Sequence, residues 1–172
     1  VVAVPTTYAG SEATAMWGLT AEAHKETGID PVVLPRVVVY DPVLLTGLPS
    51  GLAVSSGLNA LAHAVDALWA PKADPIATAL GLEGSRALAS GLPKVAADGT
   101  DVGGIAETLY GAYLAAVAFA TTGSGLHHKI CHVLGGTFNL PHADAHAIVL
   151  PYVLAFNAPA VPDLEQRLAD AL

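Results

Sequence analysis

A chain of 172 residues with 53% hydrophobic content can bury one good core, or one core and a fragment of another, which excludes a disordered chain. Seven Lys and Arg against fifteen Asp and Glu give a formal net charge of −8, which excludes a nucleic-acid partner, because a phosphate backbone needs a basic face. The one cysteine, Cys131, cannot close an internal disulfide, so a reducing compartment is expected, with the cytoplasm as the location.

In chain order, residues 1–4 and the run VVLPRVVVY (32–40) are short, β-branched and bounded by Pro, Gly and Asp, which predicts two strands of an α/β element. Between them PTTYAGSEATAMWG reads as a loop and AEAHKETGID as a polar excursion with no helical core. After DPVLLTGLPS the texture changes to Ala and Leu at helical spacing. The boundary falls near Leu48: residues 1–48 read as the end of an α/β domain and 49–172 as an all-helical one. Punctuation divides the second part into helices at about 51–69, 74–91, 102–122, 126–136, 142–157 and 161–172, with breaks at Pro71, SGLPK, ADGTD, TTGSG and NLPH. ADP before Ile76 and VPD before Leu164 read as capping starts. The uncharged stretch 108–126 has about the length of a membrane span, but it carries two tyrosines and ends in TTGSG, so it is expected as a buried helix with no membrane partner. The opening VVAVP has neither an initiator Met nor a cleavable leader pattern, and a piece of a longer protein is expected.

GLHHKICHVLGGTFNLPHADAH (125–146) holds five of the seven histidines. Asn59 and His63, His128 and His132, and His142 and His146 are each four apart, so each pair shares a helical face, and three such faces can converge on one cleft. A buried neutral imidazole is costly unless hydrogen-bonded, so six polar groups on otherwise apolar helices need a common explanation. A metal, a proton relay or an anionic substrate would each supply one. Three imidazoles plus a carboxylate suit Zn(II) or Fe(II). Where a carboxylate four residues before His63 would complete that set, the chain has Asn59, a neutral amide. Asp66 and Asp144 could be recruited, but solvated or capping roles are commoner for such residues.

PTTYAGSE (5–12), Asp41-Pro42 and Leu48-Pro49, SGLNALAHAVDAL (56–68), GLHHKICHVLGGTFNLPHADAHA (125–147) and LPYVLAFN (150–157) together resemble the iron-containing alcohol dehydrogenase superfamily, and within it the maleylacetate-reducing branch. The resemblance implies a dinucleotide-binding α/β domain, a C-terminal helical domain and an active site in the cleft between them. The positions at which metal-dependent members hold Fe(II) or Zn(II) are, by motif, Asn59, His63, His128 and His142. Asn59, with the double His before Lys129, resembles the branch that works without a catalytic metal, so no metal is expected.

The implied reaction reduces maleylacetate to 3-oxoadipate with NADH or NADPH, in the breakdown of aromatic compounds. Hydride adds to a carbon–carbon double bond conjugated to a ketone, so charge develops on an enolate oxygen and must be met by donors. Imidazoles suit that task near neutral pH. On this reading His63, His128 and His142 are donors to the enolate and carboxylates, and His132 is a donor near the nicotinamide. Asn59, His127 and Lys129 bind the small dicarboxylate substrate. Thr6, Thr7 and Ser11 line the nicotinamide side. No GxGxxG occurs in the chain, and VGG at Val102 and LGG at Leu134 read as helix-packing glycines. The 172 residues alone are therefore expected to hold NADH weakly and to be inactive, and the full-length protein is expected to be a homodimer. Two other readings stay open: a metal-dependent alcohol or polyol dehydrogenase in which water or Asp66 replaces the carboxylate, and a non-catalytic helical fragment.

Overall fold

The computed structural model describes residues 1–21 and 24–172, with the side chains of residues 20, 21, 24 and 25 left aside. Four short strands come first: β1 Val2–Ala3, β2 Met16–Ala21, β3 His24–Ile29 and β4 Val37–Val38. β1 and β4 pair in parallel, Val2 opposite Val37 and Ala3 opposite Val38, so both expected strands exist in shortened form. The run 32–40 is not one strand, because a single turn of 3-10 helix at Pro31–Val33 starts it, with the Asp30 carboxylate accepting from the Val32 N–H. The stretch read as loop and polar excursion is also different. It holds an antiparallel pair in which Met16 faces Ile29 and Trp17 faces Gly28. HKETGI has no apolar alternation of its own. Its strand is held by cross-strand pairing and by the Trp17 ring lying over Gly28, neither of which shows in one strand's pattern.

Six helices follow: α1 Ser50–Trp69, α2 Pro75–Ala97, α3 Val102–Thr122, α4 Leu126–Phe138, α5 His142–Asn157 and α6 Leu164–Ala171. The start of α2 is fixed as the sequence predicts, since the Asp74 carboxylate accepts from the N–H groups of Ile76 and Ala77 and Pro75 takes the first helical position. Asp163 precedes α6 as expected but sits at φ +55° and makes no capping bond, so the helix begins at Leu164. SGLPK is no break. α2 runs through Pro93 to Ala97, and the hydrogen bond lost at the proline is offset by burying Leu92 and Val95 on either side of it.

α1 lies at the centre, packed on α2, α3 and α5, and its small buried residues (Ala53, Ala60, Ala62, Ala64) allow close approach. Leu88, Leu92, Ile105 and Leu109 fill one core against Ala60 and Ala64, while Val65, Leu68, Leu150 and Leu164 fill a second beneath α5 and α6. α2 and α3 touch backbone to backbone. A Cβ at Gly91 would stand 2.8 Å from the Thr108 nitrogen and 3.0 Å from the Gly104 oxygen, and one at Gly111 would stand 2.9 Å from both the Gly84 oxygen and the Leu88 nitrogen. The packing role read for VGG thus holds at Gly104, which is buried against Lys94, but not for LGG, where Gly136 has no neighbour within 4 Å. Among the described residues α3 is the one helix long and apolar enough to cross a membrane, and most of it is buried inside this bundle.

Candidate active site

Asn59, His63 and Asp66 recur at helical spacing along the buried face of α1, and all three are buried. α4 brings His128 in its first turn, and α5 brings His142 and His146 from its own first two turns. The His63 and His128 rings stack at 4.7 Å between centroids, and Phe119 of α3 closes the triangle at 4.6 Å and 4.3 Å from them. His146 stands 4.6 Å from His128 and 4.2 Å from His142, and His132 stands 6.0 Å from His142. The three helical faces do converge.

One buried carboxylate organises the back of this cluster. Asp66 is 0% exposed, and its Oδ2 accepts from His128 Nδ1 at 2.8 Å and from the Gly125 N–H at 3.0 Å, while its Oδ1 accepts from Trp69 Nε1 at 2.6 Å. Burial alone would raise its pKa, but these donors outweigh burial and hold the carboxyl below the usual range, so it is ionised. Asp66 is therefore not solvated, and rather than capping its own helix it accepts from the N–H groups of Gly125 and, at 3.4 Å, His128 at the start of α4. His127 turns its Nε2 to the backbone oxygen of His146 at 3.0 Å, and Cys131, also fully buried, points its Sγ at the oxygen of Ala145 at 3.7 Å. Burial pushes the Cys131 thiol up to about 11.

Desolvation lowers the pKa of His63, His127, His128 and His146, and neighbouring imidazoles lower His63 and His146 further. The sign for stability follows from linkage. With folded values below the unfolded value of about 6.5, the unfolded chain binds more protons in that window. The stabilisation is complete above about pH 6.5 and is lost as the pH falls below it. The melting temperature is therefore expected to fall steadily between pH 7 and pH 5, and a flat profile there would show that these imidazoles are not buried in the neutral form.

The cluster opens into a cavity of about 510 Å³ whose walls include His63, His128, His132 and His142, with Ser11 and Trp17 opposite. A neighbouring hollow of about 570 Å³ is lined by Thr7, Ser55 and Ser56, and Asn59 and His142 belong to both. The loop carrying Thr7 and Ser11 is pinned by buried Tyr8, whose N–H donates to Ser56 Oγ, and by Gly10 at φ +74°, where a Cβ would strike Ala116. Thr6 lines neither hollow. His127 and Lys129, expected to bind the substrate, do not line the cavity either: His127 faces the interior and Lys129 is exposed on α4. A third hollow, about 590 Å³ between α3 and residues 34–42, is walled by Leu34, Tyr110, Tyr113 and Val117 and holds no histidine.

Among the described residues, the buried side-chain atoms without a protein partner are Asn59 Oδ1, His63 Nδ1 and His128 Nε2 on side chains that line the histidine cavity, both ring nitrogens of His146 behind it, and Tyr8 Oη. From sequence His146 was placed in the converging set without a role, Asp66 was weighed only as a substitute ligand, and Phe119 and Trp17 were not placed at the site at all. Asp66 and His146 had a signal, since each follows an assigned histidine by three or four residues. Phe119 and Trp17 had none.

A centre of one carboxylate and three imidazoles needs a charged ligand that the site does not offer at the expected place. Asn59 supplies no charge, and Asp66 binds the Nδ1 edge of His128, away from the unpartnered Nε2. Among the described residues, the imidazoles whose nitrogens come within 4.8 Å of one another are His127, His128 and His146, a set that could hold a metal ion through its other ring nitrogens but brings no carboxylate. The centre of one carboxylate and three imidazoles is therefore not reproduced, while an all-imidazole set remains at the back of the cavity.

Residues 53–172 match the Fe-containing alcohol dehydrogenase family, C-terminal. Over 171 residues the chain is 53% identical to maleylacetate reductase 2 of Cupriavidus pinatubonensis, covering 99% of this chain and 48% of that protein. It is 49% identical to maleylacetate reductase of Pseudomonas sp. strain P51, covering 100% and 49%. Among solved structures, an iron-containing alcohol dehydrogenase from Corynebacterium glutamicum superposes with a TM-score of 0.94 at 63% identity, covering 99% of this chain and 48% of that one. Maleylacetate reductase from Rhizobium sp. superposes with a TM-score of 0.94 at 46% identity, covering 99% and 49%. The chain thus spans about half the length of the curated relatives it matches. A helical bundle that gathers histidines from α1, α4 and α5 at one cavity, matched over most of its length, belongs to the iron-containing alcohol dehydrogenase family.

Proposed function

We propose that this chain carries the substrate-reducing site of an enzyme that converts maleylacetate to 3-oxoadipate with NADH or NADPH, without a catalytic metal, in the breakdown of aromatic compounds. The observation that supports it best is a cavity walled by His63, His128, His132 and His142 in which the position of the family's ligand carboxylate is Asn59. The relatives named maleylacetate reductase, at about half identity over the whole chain, point the same way. Residues 49–172 are then the helical domain and residues 1–48 the end of a dinucleotide-binding α/β domain, in a cytoplasmic homodimer.

Two hollows sharing one wall suit two reactants. Thr7, Ser55 and Ser56 would hold the nicotinamide side of a bound cofactor, which would supply hydride to the alkene carbon distal to the ketone, with maleylacetate held among the imidazoles and Asn59 and His142 between the two hollows. The electron pair would move onto the ketone oxygen as an enolate, met by ring N–H groups of His63 and His142, and a proton taken from solvent through a cavity imidazole would add to the carbon next to the ketone. The polar orphans at the cavity are what a substrate with two carboxylates and a ketone would satisfy.

The test is maleylacetate-dependent oxidation of NADH by the complete gene product, with and without chelator. Activity is expected to survive EDTA, because Asn59 cannot supply the ligand charge on which a divalent site depends. Asn59→Asp is expected to raise bound iron or zinc. Full loss of activity in EDTA with recovery on adding Fe(II) or Zn(II) would overturn the metal-free reading and favour a metal-dependent alcohol dehydrogenase.

A further inference from the structure

We infer that Asp66 is a positioning residue that locks His128 in the Nδ1–H tautomer, so that proton exchange with the substrate runs through Nε2 alone. This rests on the reading of the cavity as a reductase site. A carboxylate only accepts, so at 2.8 Å from Oδ2 the proton belongs to His128 Nδ1. A second contact constrains the same proton from the other side. His127 Nε2 lies 3.0 Å from the backbone oxygen of His146, which also only accepts, so His127 carries its proton there and its Nδ1 keeps a lone pair. That lone pair stands 3.3 Å from His128 Nδ1. Two acceptors thus converge on one ring nitrogen, and Nε2 is left as the unpartnered atom of a ring that lines the cavity.

The carboxylate is itself held by groups outside the cavity. Trp69 Nε1 donates to Oδ1 at 2.6 Å, and the N–H of Gly125 donates to Oδ2 at 3.0 Å from the residue preceding α4. Gly125 has no room for a side chain, because a Cβ there would fall on the Asp66 carboxylate and 3.0 Å from Trp69 Nε1. α1 and the start of α4 are therefore tied through one carboxylate, and the orientation of the His128 ring is set by a residue that does not line the cavity. Without Asp66 the ring could place its proton on Nε2 or turn about its side-chain bond, and the substrate would meet a different atom.

The experiment combines ring-nitrogen NMR of ¹⁵N-histidine-labelled protein with steady-state kinetics of the complete gene product, for wild type, Asp66→Ala, Asp66→Asn and Gly125→Ala. In wild type, His128 is expected to show a protonated Nδ1 and an unprotonated Nε2. Asp66→Ala is expected to lose that signature and to lower kcat by about 10- to 100-fold with KM nearly unchanged, the scale of losing a group that orients a histidine. Asp66→Asn keeps an acceptor oxygen and recovers part of kcat. Gly125→Ala leaves every ionisable group in place but pushes on the carboxylate, so it is expected to lower kcat in the same direction and decides the matter if Asp66→Ala does not fold. Wild-type His128 protonated at Nε2, or normal kcat in folded Asp66→Ala, overturns the proposal. Absence of maleylacetate turnover in wild type with the Nδ1–H signature intact would overturn the reductase reading and leave the tautomer lock standing.

Discussion

Replacing His128 with Ala in the complete gene product lowers kcat/KM for maleylacetate by about two to four orders of magnitude, the scale for a positioned acid–base or oxyanion group, and leaves NADH affinity nearly unchanged. The geometry gives the reason for both halves. His128 lines the imidazole cavity but not the Thr7 hollow, and its ring is fixed by Asp66 behind it and by His63 and Phe119 beside it. A group held so firmly acts on the transition state more than on a cofactor bound next door. His142→Ala is expected to lose as much activity. Because His142 lines both hollows, it is expected to weaken NADH binding as well. His24→Ala serves as the control: its residue lies on β3, its side chain is outside the described residues, and no loss is expected. Equal damage from His24→Ala, or cleft variants that merely melt earlier while the folded fraction keeps its specific activity, would make the cluster structural.

Gly111→Val is expected to cost about 3 kcal/mol or more, the upper end of what overpacking does, and to lower the melting temperature by about 6–12 °C for a chain of this size. The Cβ would meet backbone on both counts, the Gly84 oxygen and the Leu88 nitrogen, and backbone in the middle of a helix cannot rotate away as a side chain can. α2 and α3 would have to separate along their length. Gly136→Val on α4, with open space around it, is the comparison and is expected to change stability by only the helix-propensity difference. A Gly111→Val protein as stable as the starting one would mean that the two helices do not approach as closely as described.

The helical half of the fold was legible because its signals are local. Asp74-Pro75 fixes a helix start through the aspartate's own bonds, and Asp101 does the same by accepting from the Gly103 N–H. The hairpin was illegible because its strands carry no period of their own and depend on each other. Pro93 misled for a related reason: its local cost is real, and the buried residues that outweigh it are long-range partners. At the site, the spacing of four between Asn59 and His63, His128 and His132, and His142 and His146 put the right faces together. Which way each ring points depended on Asp66 and on the backbone oxygen of His146, acceptors contributed from other elements. His127 and Lys129, adjacent in sequence to His128, face away from the cavity, since a helix turns neighbours about 100° apart.

Cys131 sits on α4 one turn after His127, sealed against the backbone of α5, and it is the chain's one thiol. With its pKa raised to about 11 and none of its surface exposed, it is nearly inert to alkylating reagents while α4 rests on α5. Its rate of modification therefore reads how often that helix pair opens. Because the same pair carries His128, His132, His142 and His146, a single thiol reports the integrity of the histidine cavity in solution, and a ligand that closes the cavity should slow the modification.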